Sequence, residues 1–363
     1  MFGVLEPATL HRVPLGNRFI RSATWDGLAD ERGGVTDSAV RLYEGLARGG
    51  VGLIVTGYAF VSKHGQAVHG QYGIDSDEMI PGMKRLVRAA HEQGAPIAAQ
   101  IVHCGISSTY LARKGEVALA PAPLEGRQPH RAMTEEEIEG ILDDFAAAAV
   151  RVREAGFDAV QLHGAHGYLF SQFLSPITNR RHDRWGGSAE NRRRFHAEAV
   201  RRVKTAAGRE FTVMMKFGVM DEQEGGATLA EGIEALRAMV AAGLDAVEIS
   251  GGIGNPRGAG LKFDDDTTEI TYYRERAAAA KRAVDVPLAV VGGIRAIETA
   301  EEIVRAGDAD FISLSRPLIR EPGLVRRWQN GDQRRARCIS CYKCLSSLNR
   351  GNPLECQQER RLD

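Results

Sequence analysis

Four stretches of the chain repeat one pattern, in which an Ala-rich amphipathic run ends near a glycine and a short, uniformly apolar segment follows within a few residues. They are 46–57 (LARGGVGLIVTG), 154–163 (EAGFDAVQLH), 242–250 (AGLDAVEIS) and 305–315 (RAGDADFISLS). The glycine stands where a helix C-terminus needs a left-handed residue. A strand without polar alternation has no solvent face, so buried parallel strands are predicted. The same alternation continues between these stretches, with strands expected at 18–23, 96–100, 212–217 and 287–292. The helices carry their own signals: Thr134-Glu-Glu-Glu137 reads as a capping box leading into Ile138, Ile141, Leu142 and Phe145 on one face. Eight alternating βα units in about 330 residues imply an α/β protein of the (β/α)8 TIM barrel class rather than an open doubly wound sheet. The expected organisation is one barrel domain over 1–330 and a short cysteine-rich extension over 331–363.

Three βα connections are long, at 101–133, 164–184 and 251–268. They leave the C-terminal ends of strands, where barrel active sites are assembled. Composition adds little direction. The 363 residues carry 47 basic and 47 acidic side chains, so no global field favours nucleic acid or an anionic membrane. Neither a cationic start with an apolar run nor a stretch of roughly 20 apolar residues is present, and the expectation is a soluble, cytoplasmic protein. Four of the five cysteines, Cys338, Cys341, Cys344 and Cys356, cluster in the tail. In a reducing compartment that clustering argues for metal chemistry rather than disulfides.

The sharpest candidate chemistry follows the fourth strand: His163, His166 and Tyr168 project over the barrel mouth from one turn. Two imidazole N–H groups can hold one carbonyl or anionic oxygen while a phenol delivers a proton, which would polarise and protonate an activated alkene. A metal-binding His pair is the rival reading, weakened because the motif carries no carboxylate. Lys216 ends the fifth strand in Val213-Met-Met-Lys-Phe, where an ammonium needs an anionic partner. A Schiff-base lysine of a barrel lyase is the competing chemistry. Gly292-Gly293 after the seventh strand and Ser315-Arg316 after the eighth occupy the positions where barrels commonly bind phosphate. His103 either shapes the pocket or is structural, and Cys104 reads as a small apolar filler.

Residues 163–188, HGAHGYLFSQFLSPITNRRHDRWGGS, closely resemble the Old Yellow Enzyme family of FMN-dependent NAD(P)H oxidoreductases, and the resemblance runs from Asn17 to Ile319. It implies an ene-reductase in which FMN takes a hydride from NADH or NADPH and passes it to the C=C bond of an α,β-unsaturated carbonyl compound. By the same resemblance His163 and His166 hold the substrate carbonyl and Tyr168 is the proton donor. Ser22, Ala23 and Thr24 would lie against the flavin ring, Gly57 where a side chain would collide with it, and Gln100 at its pyrimidine edge. Lys216 would sit by flavin N1 and O2, and Gly292, Gly293, Ser315 and Arg316 would hold the FMN phosphate. The family also implies a homo-oligomer.

The spacing Cys338-x2-Cys341-x2-Cys344 with Cys356 beyond is a strong metal-thiolate pattern. It resembles the 4Fe–4S (iron–sulfur) ligand set of the larger flavin barrels, trimethylamine dehydrogenase and 2,4-dienoyl-CoA reductase, with zinc as the rival. Because the sequence stops at Asp363, their second flavin and nucleotide domains are expected to be absent. The reductant would then dock over FMN directly, or a separate redox partner protein would feed the cluster. The alternative function is therefore a flavin and iron–sulfur electron-transfer subunit.

Overall fold

The structure, a computed structural model, describes residues 3–125, 128–254, 271–352 and 354–358. All eight predicted barrel strands form: β1 Phe19–Arg21, β2 Leu53–Val55, β3 Ile97–Val102, β4 Ala159–Gly164, β5 Thr212–Gly218, β6 Ala246–Ser250, β7 Leu288–Val291 and β8 Phe311–Leu314. Each pairs in parallel with the next, and β8 pairs with β1, so the sheet closes on itself. Closure removes the edges that an open sheet would expose. The glycines in the four repeated stretches carry the backbone the sequence requires, with φ of +81° at Gly50, +91° at Gly156, +105° at Gly243 and +74° at Gly307.

Helices α1 Asp37–Arg48, α2 Ile80–His91, α3 Glu135–Glu154, α4 Ala189–Ala207, α5 Leu229–Ala241, α6 Arg274–Ala283, α7 Ile297–Ala306 and α8 Leu324–Gln329 surround the barrel. The capping box at the start of α3 is formed on both sides, and Ile138, Ile141, Leu142 and Phe145 are buried as their spacing predicts. No helix among the described residues is long and apolar enough to cross a membrane.

One element carries no signal in the pattern of the chain, an antiparallel hairpin of Ala8–Leu10 and Val13–Leu15. It drives Leu10, Val13 and Leu15 against Ile20, Leu53, Ala98, Ala159, Met214 and Phe311 and plugs the N-terminal mouth. Three-residue strands are too short to show a period, which is why they escape pattern reading. With that end filled, the opposite mouth is left for chemistry.

Two of the long connections are tied to each other. The segment after β3 contains a helix at Thr109–Lys114 and paired strands Ala118–Ala120 and His130–Ala132. Arg181, from the connection after β4, donates to Pro121 O at 2.8 Å and Met133 O at 2.7 Å. Gln172 bridges the same pair nearer the barrel, donating to Cys104 O and Gly167 O and accepting from Ile106 N. The turn that carries Tyr168 is thereby held by buried hydrogen bonds. Of the third connection, residues 255–268 lie outside the described residues.

Candidate active site

A cavity of about 370 Å³ opens at the C-terminal ends of the strands. Its lining includes Ser22, Ala23, Thr24, Gln100, His163, His166, Tyr168, Lys216, Gly292, Gly293, Ser315 and Arg316, so all but one of the barrel positions that the resemblance assigns to flavin or substrate converge on one site. The exception is Gly57, which is not part of the lining. A Cβ there would meet Thr24 O at 3.1 Å, Asp26 Oδ2 at 3.3 Å and Tyr72 Cε2 at 3.3 Å. A side chain at that position would crowd the chain's own neighbours, so close packing alone favours glycine there. His103 and Cys104 are likewise buried behind the site. Burial pushes the His103 imidazole down to about 3 and the Cys104 thiol up to about 12, so both are neutral packing groups.

At one end of the cavity the turn after β4 brings three rings together. His163 and His166 stand perpendicular with centroids 5.1 Å apart, and Tyr168 lies 4.9 Å from His163. The turn needs left-handed backbone at His166, with φ +64°, and at Gly167, with φ +76°. His166 N is fixed by Gly251 O at 2.9 Å, and its Nε2 lies 2.7 Å from Ser250 Oγ. Tyr58 joins the cluster from the end of β2: its hydroxyl is 3.3 Å from that of Tyr168.

Beneath these rings, inward positions of neighbouring strands share one layer, since His163 is in register with Lys216, and Lys216 with Glu248. Lys216 finds its anionic partner within the chain: Nζ lies 2.7 Å from Glu248 Oε1 and 2.7 Å from Ser22 Oγ. Glu248 also accepts from Ser22 Oγ at 2.6 Å and from Gln161 Nε2 at 2.9 Å, and Gln161 accepts from Gln100 Nε2 at 2.7 Å. The pairing gives Lys216 the anionic partner its position requires and lends no support to the Schiff-base reading, because that chemistry needs a neutral amine. Thr24 Oγ1 bonds Ser315 Oγ at 2.8 Å and accepts from the buried Arg21 guanidinium at 2.6 Å, which ties the β1 end to the β8 end.

At the far end Gly292 and Gly293 have φ of +112° and +82°. A Cβ on Gly292 would come within 3.0 Å of the Tyr272 ring and 3.1 Å of Tyr273. Ser313, whose buried Oγ has no hydrogen-bond partner among the described residues, lines the same space. An orphaned hydroxyl, a glycine cradle and the Arg316 guanidinium form a donor set suited to a phosphate, and the apolar span of Ala23 and Leu314 suits a flat ring. These residues fit FMN.

The tail packs against this end. Ala336 N donates to Arg295 O at 2.8 Å, Arg295 Nη1 to Cys338 O and Arg316 Nη1 to Ser340 O, each at 3.2 Å. Arg316 stacks on Tyr342, 4.1 Å from the ring centroid. Cys338, Cys341, Cys344 and Cys356 line one small cavity together with Arg316, Arg320 and Tyr342. All four are free thiols, and Arg320 Nη1 approaches Cys356 Sγ at 3.2 Å. Burial, with Cys338 nearby, pushes the Cys344 thiol up to about 11. No group of three or more His, Cys, Asp or Glu among the described residues is arranged to hold a metal ion.

Sequence reading missed Trp25, Tyr58, Ser250, Tyr272 and Tyr342 in the lining, and Gln161 and Glu248 beneath it. The last two had a signal: each is a polar residue inside an apolar strand, two positions before His163 and Ser250 respectively, and so on the same inward face.

Residues 3–335 match the model of the NADH:flavin oxidoreductase / NADH oxidase family. A curated relative, NADH oxidase of Thermoanaerobacter brockii, is 38% identical over 331 residues, covering 90% of this chain and 50% of its own length. The chain spans about half the length of the first two curated relatives it matches. Among solved structures, 2-naphthoyl-CoA reductase in complex with 2-naphthoyl-CoA superposes with TM-score 0.90 at 27% identity, covering 98% of this chain and 56% of that one. Morphinone reductase in complex with tetrahydroNAD gives 0.77 at 27% identity, with 92% of both chains covered. A matched family model over nearly the whole barrel, and the fold and mouth described above, agree with the resemblance carried by residues 163–188: the chain belongs to the NADH:flavin oxidoreductase / NADH oxidase family, the Old Yellow Enzyme family.

Proposed function

We propose that this protein binds FMN in the barrel mouth, takes reducing equivalents from NADH or NADPH, and reduces the activated C=C bond of an α,β-unsaturated carbonyl compound. The observation that carries this reading is the placement of His163, His166 and Tyr168 at one end of a single cavity whose other end is Gly292, Gly293, Ser315 and Arg316. Bound FMN supplies the acceptance and delivery of a hydride. The rest is done by the chain. Arg316 and the glycine backbone hold the phosphate; Thr24, Gln100 and Lys216 hold the ring edge; His163 and His166 grip the substrate carbonyl oxygen and draw electron density from the alkene. Tyr168 delivers a proton to the α-carbon. Trp25, Tyr58 and Val68 wall the substrate end and exclude water.

A second reading is favoured by a separate observation: the cavity lined by the four tail cysteines shares Arg316 and Tyr342 with the main one. In that reading a 4Fe–4S cluster on Cys338, Cys341, Cys344 and Cys356 exchanges electrons with a redox partner, and the cation-rich surroundings suit its negative charge. Three guanidiniums, those of Arg295, Arg316 and Arg320, approach the cysteine segment. Zinc on the same thiolates would be structural only.

One experiment tests both readings. Protein purified anaerobically is analysed for FMN, iron, sulfide and zinc, and its visible spectrum is followed on adding NADH or NADPH and then an enone. Bleaching by nucleotide and return of the flavin band on enone addition is the expected result. Colourless protein that binds no FMN overturns the proposal.

A further inference from the structure

The hydrogen-bonded chain Gln100, Gln161, Glu248, Lys216, Ser22 runs across four barrel strands to the residue that follows β1, and every member is at most 2% exposed. Three of the five, Ser22, Gln100 and Lys216, line the main cavity, whereas Gln161 and Glu248 do not and so act only through them.

The direction of this chain is set at Glu248. An ionised carboxylate can only accept, so Gln161 must turn its NH2 group toward Glu248. That leaves the Gln161 carbonyl for Gln100, whose own NH2 group must face it. The Gln100 carbonyl is then the group left for the cavity. On its other oxygen Glu248 takes the Lys216 ammonium and the Ser22 hydroxyl, and so offsets the positive charge of Lys216 beneath that part of the mouth. Burial alone would raise the Glu248 carboxyl, but Lys216 and the hydrogen bonds from Lys216, Ser22 and Gln161 hold it below the ordinary carboxylate range. It is an ion, and its demand for donors is fixed.

We infer that Glu248 is a positioning residue for the bound flavin: it fixes the amide of Gln100 through Gln161 and sets how much positive charge Lys216 presents to the ring. The inference rests on the FMN reading above. A lone ammonium there would favour the electron-rich, reduced ring strongly, whereas the Lys216–Glu248 pair favours it weakly. The carboxylate therefore keeps the reduced flavin a ready donor rather than a stable end state.

The test uses the full-length protein reconstituted with FMN. Glu248→Gln keeps the shape and removes the charge. By the Coulomb term of an uncompensated charge in a buried site, sulfite should bind the oxidised flavin roughly tenfold or more tightly, and the flavin midpoint potential should rise in step. Gln161→Leu keeps the ion pair but cuts the relay: FMN should bind several-fold more weakly, with sulfite affinity near that of the wild type. A purely structural role would lower the melting temperature of both variants without raising sulfite affinity. Unchanged or weaker sulfite binding in Glu248→Gln overturns the inference, as does unchanged FMN affinity in Gln161→Leu, which carries the test if the first variant does not fold. Wild-type protein that takes up no FMN would instead sink the flavin reading itself, so the two failures are distinct.

Discussion

Replacing Tyr168 by Phe removes one hydroxyl from the rim of the site and nothing else. A positioned general acid contributes about 10²–10⁴ in rate, and its complete loss would remove all of that. The structure argues for the lower part of the range, because the Tyr58 hydroxyl stands 3.3 Å from that of Tyr168 and its ring packs with centroids 5.6 Å away. Tyr58 can serve as a displaced donor. A misplacement of about 1 Å costs on the order of 10²-fold, so Tyr168→Phe should slow enone-driven reoxidation of the flavin by about 10²-fold. Tyr58→Phe alone should cost less than about tenfold, and the double variant should lose a further tenfold or more beyond Tyr168→Phe, since no phenol then remains in the cluster. Anaerobic stopped-flow measurement separates the half-reactions. Reduction by NADH or NADPH needs no proton from Tyr168 and should stay within about twofold of the wild type, because removing a transition-state interaction affects only the step that uses it. Equal slowing of both half-reactions, or a double variant no slower than Tyr168→Phe, would refute the assignment.

Asp26 offers a pH test. Burial pushes its carboxyl up from 3.8 to about 6 against the hydrogen bonds from Leu28, Tyr72 and Tyr43. A raised carboxyl favours the protonated form in the fold, so its contribution is full below about pH 4 and lost as pH rises through about 6, a fall of about 3 kcal/mol. Denaturant unfolding of wild type and Asp26→Asn from pH 4 to 8 should therefore give a difference that changes across that window; a constant difference counts against it. Gly292→Ala forces a φ of +112° on a residue with a Cβ and crowds the Tyr272 ring. Strain of about 1–3 kcal/mol should weaken FMN binding roughly tenfold or more, read by the fluorescence of released flavin, while helical circular dichroism stays unchanged. Cys341 is exposed, so Cys341→Ser should fold. Loss of iron and sulfide with FMN retained is expected, and full iron content would remove Cys341 from the ligand set.

Much of the barrel was legible because each of its signals is local. A glycine at a helix end, a capping threonine and an apolar strand of five residues are each written in consecutive letters, and Gly156, Thr134 and the strand at Ala246–Ser250 all took the form expected. The candidate site was legible where a residue lies within the last three positions of a strand, since the fold alone then places it near the mouth, as with Gln100, His163 and Lys216. What was not legible depends on partners far apart in sequence. The anion for Lys216 is 32 positions away, and only the pairing of β5 with β6 puts Glu248 beside it. The surroundings of Gly57 were hidden in the same way: its neighbours are Thr24, Asp26 and Tyr72, which the chain brings from two other segments. Tyr58 carries no motif, and Tyr342 sits inside the cysteine spacing, which points to a docking surface for a redox partner rather than to a wall of the main cavity.

Tyr342, Leu345 and Asn349 form part of the lining of the main cavity, although they follow every barrel strand in the chain. During synthesis the barrel can close while that wall is still missing, so an open-sided site precedes the finished one. The order has a practical edge: damage to the tail that displaces Tyr342, Leu345 and Asn349 would be felt as a leak of flavin from an otherwise intact barrel.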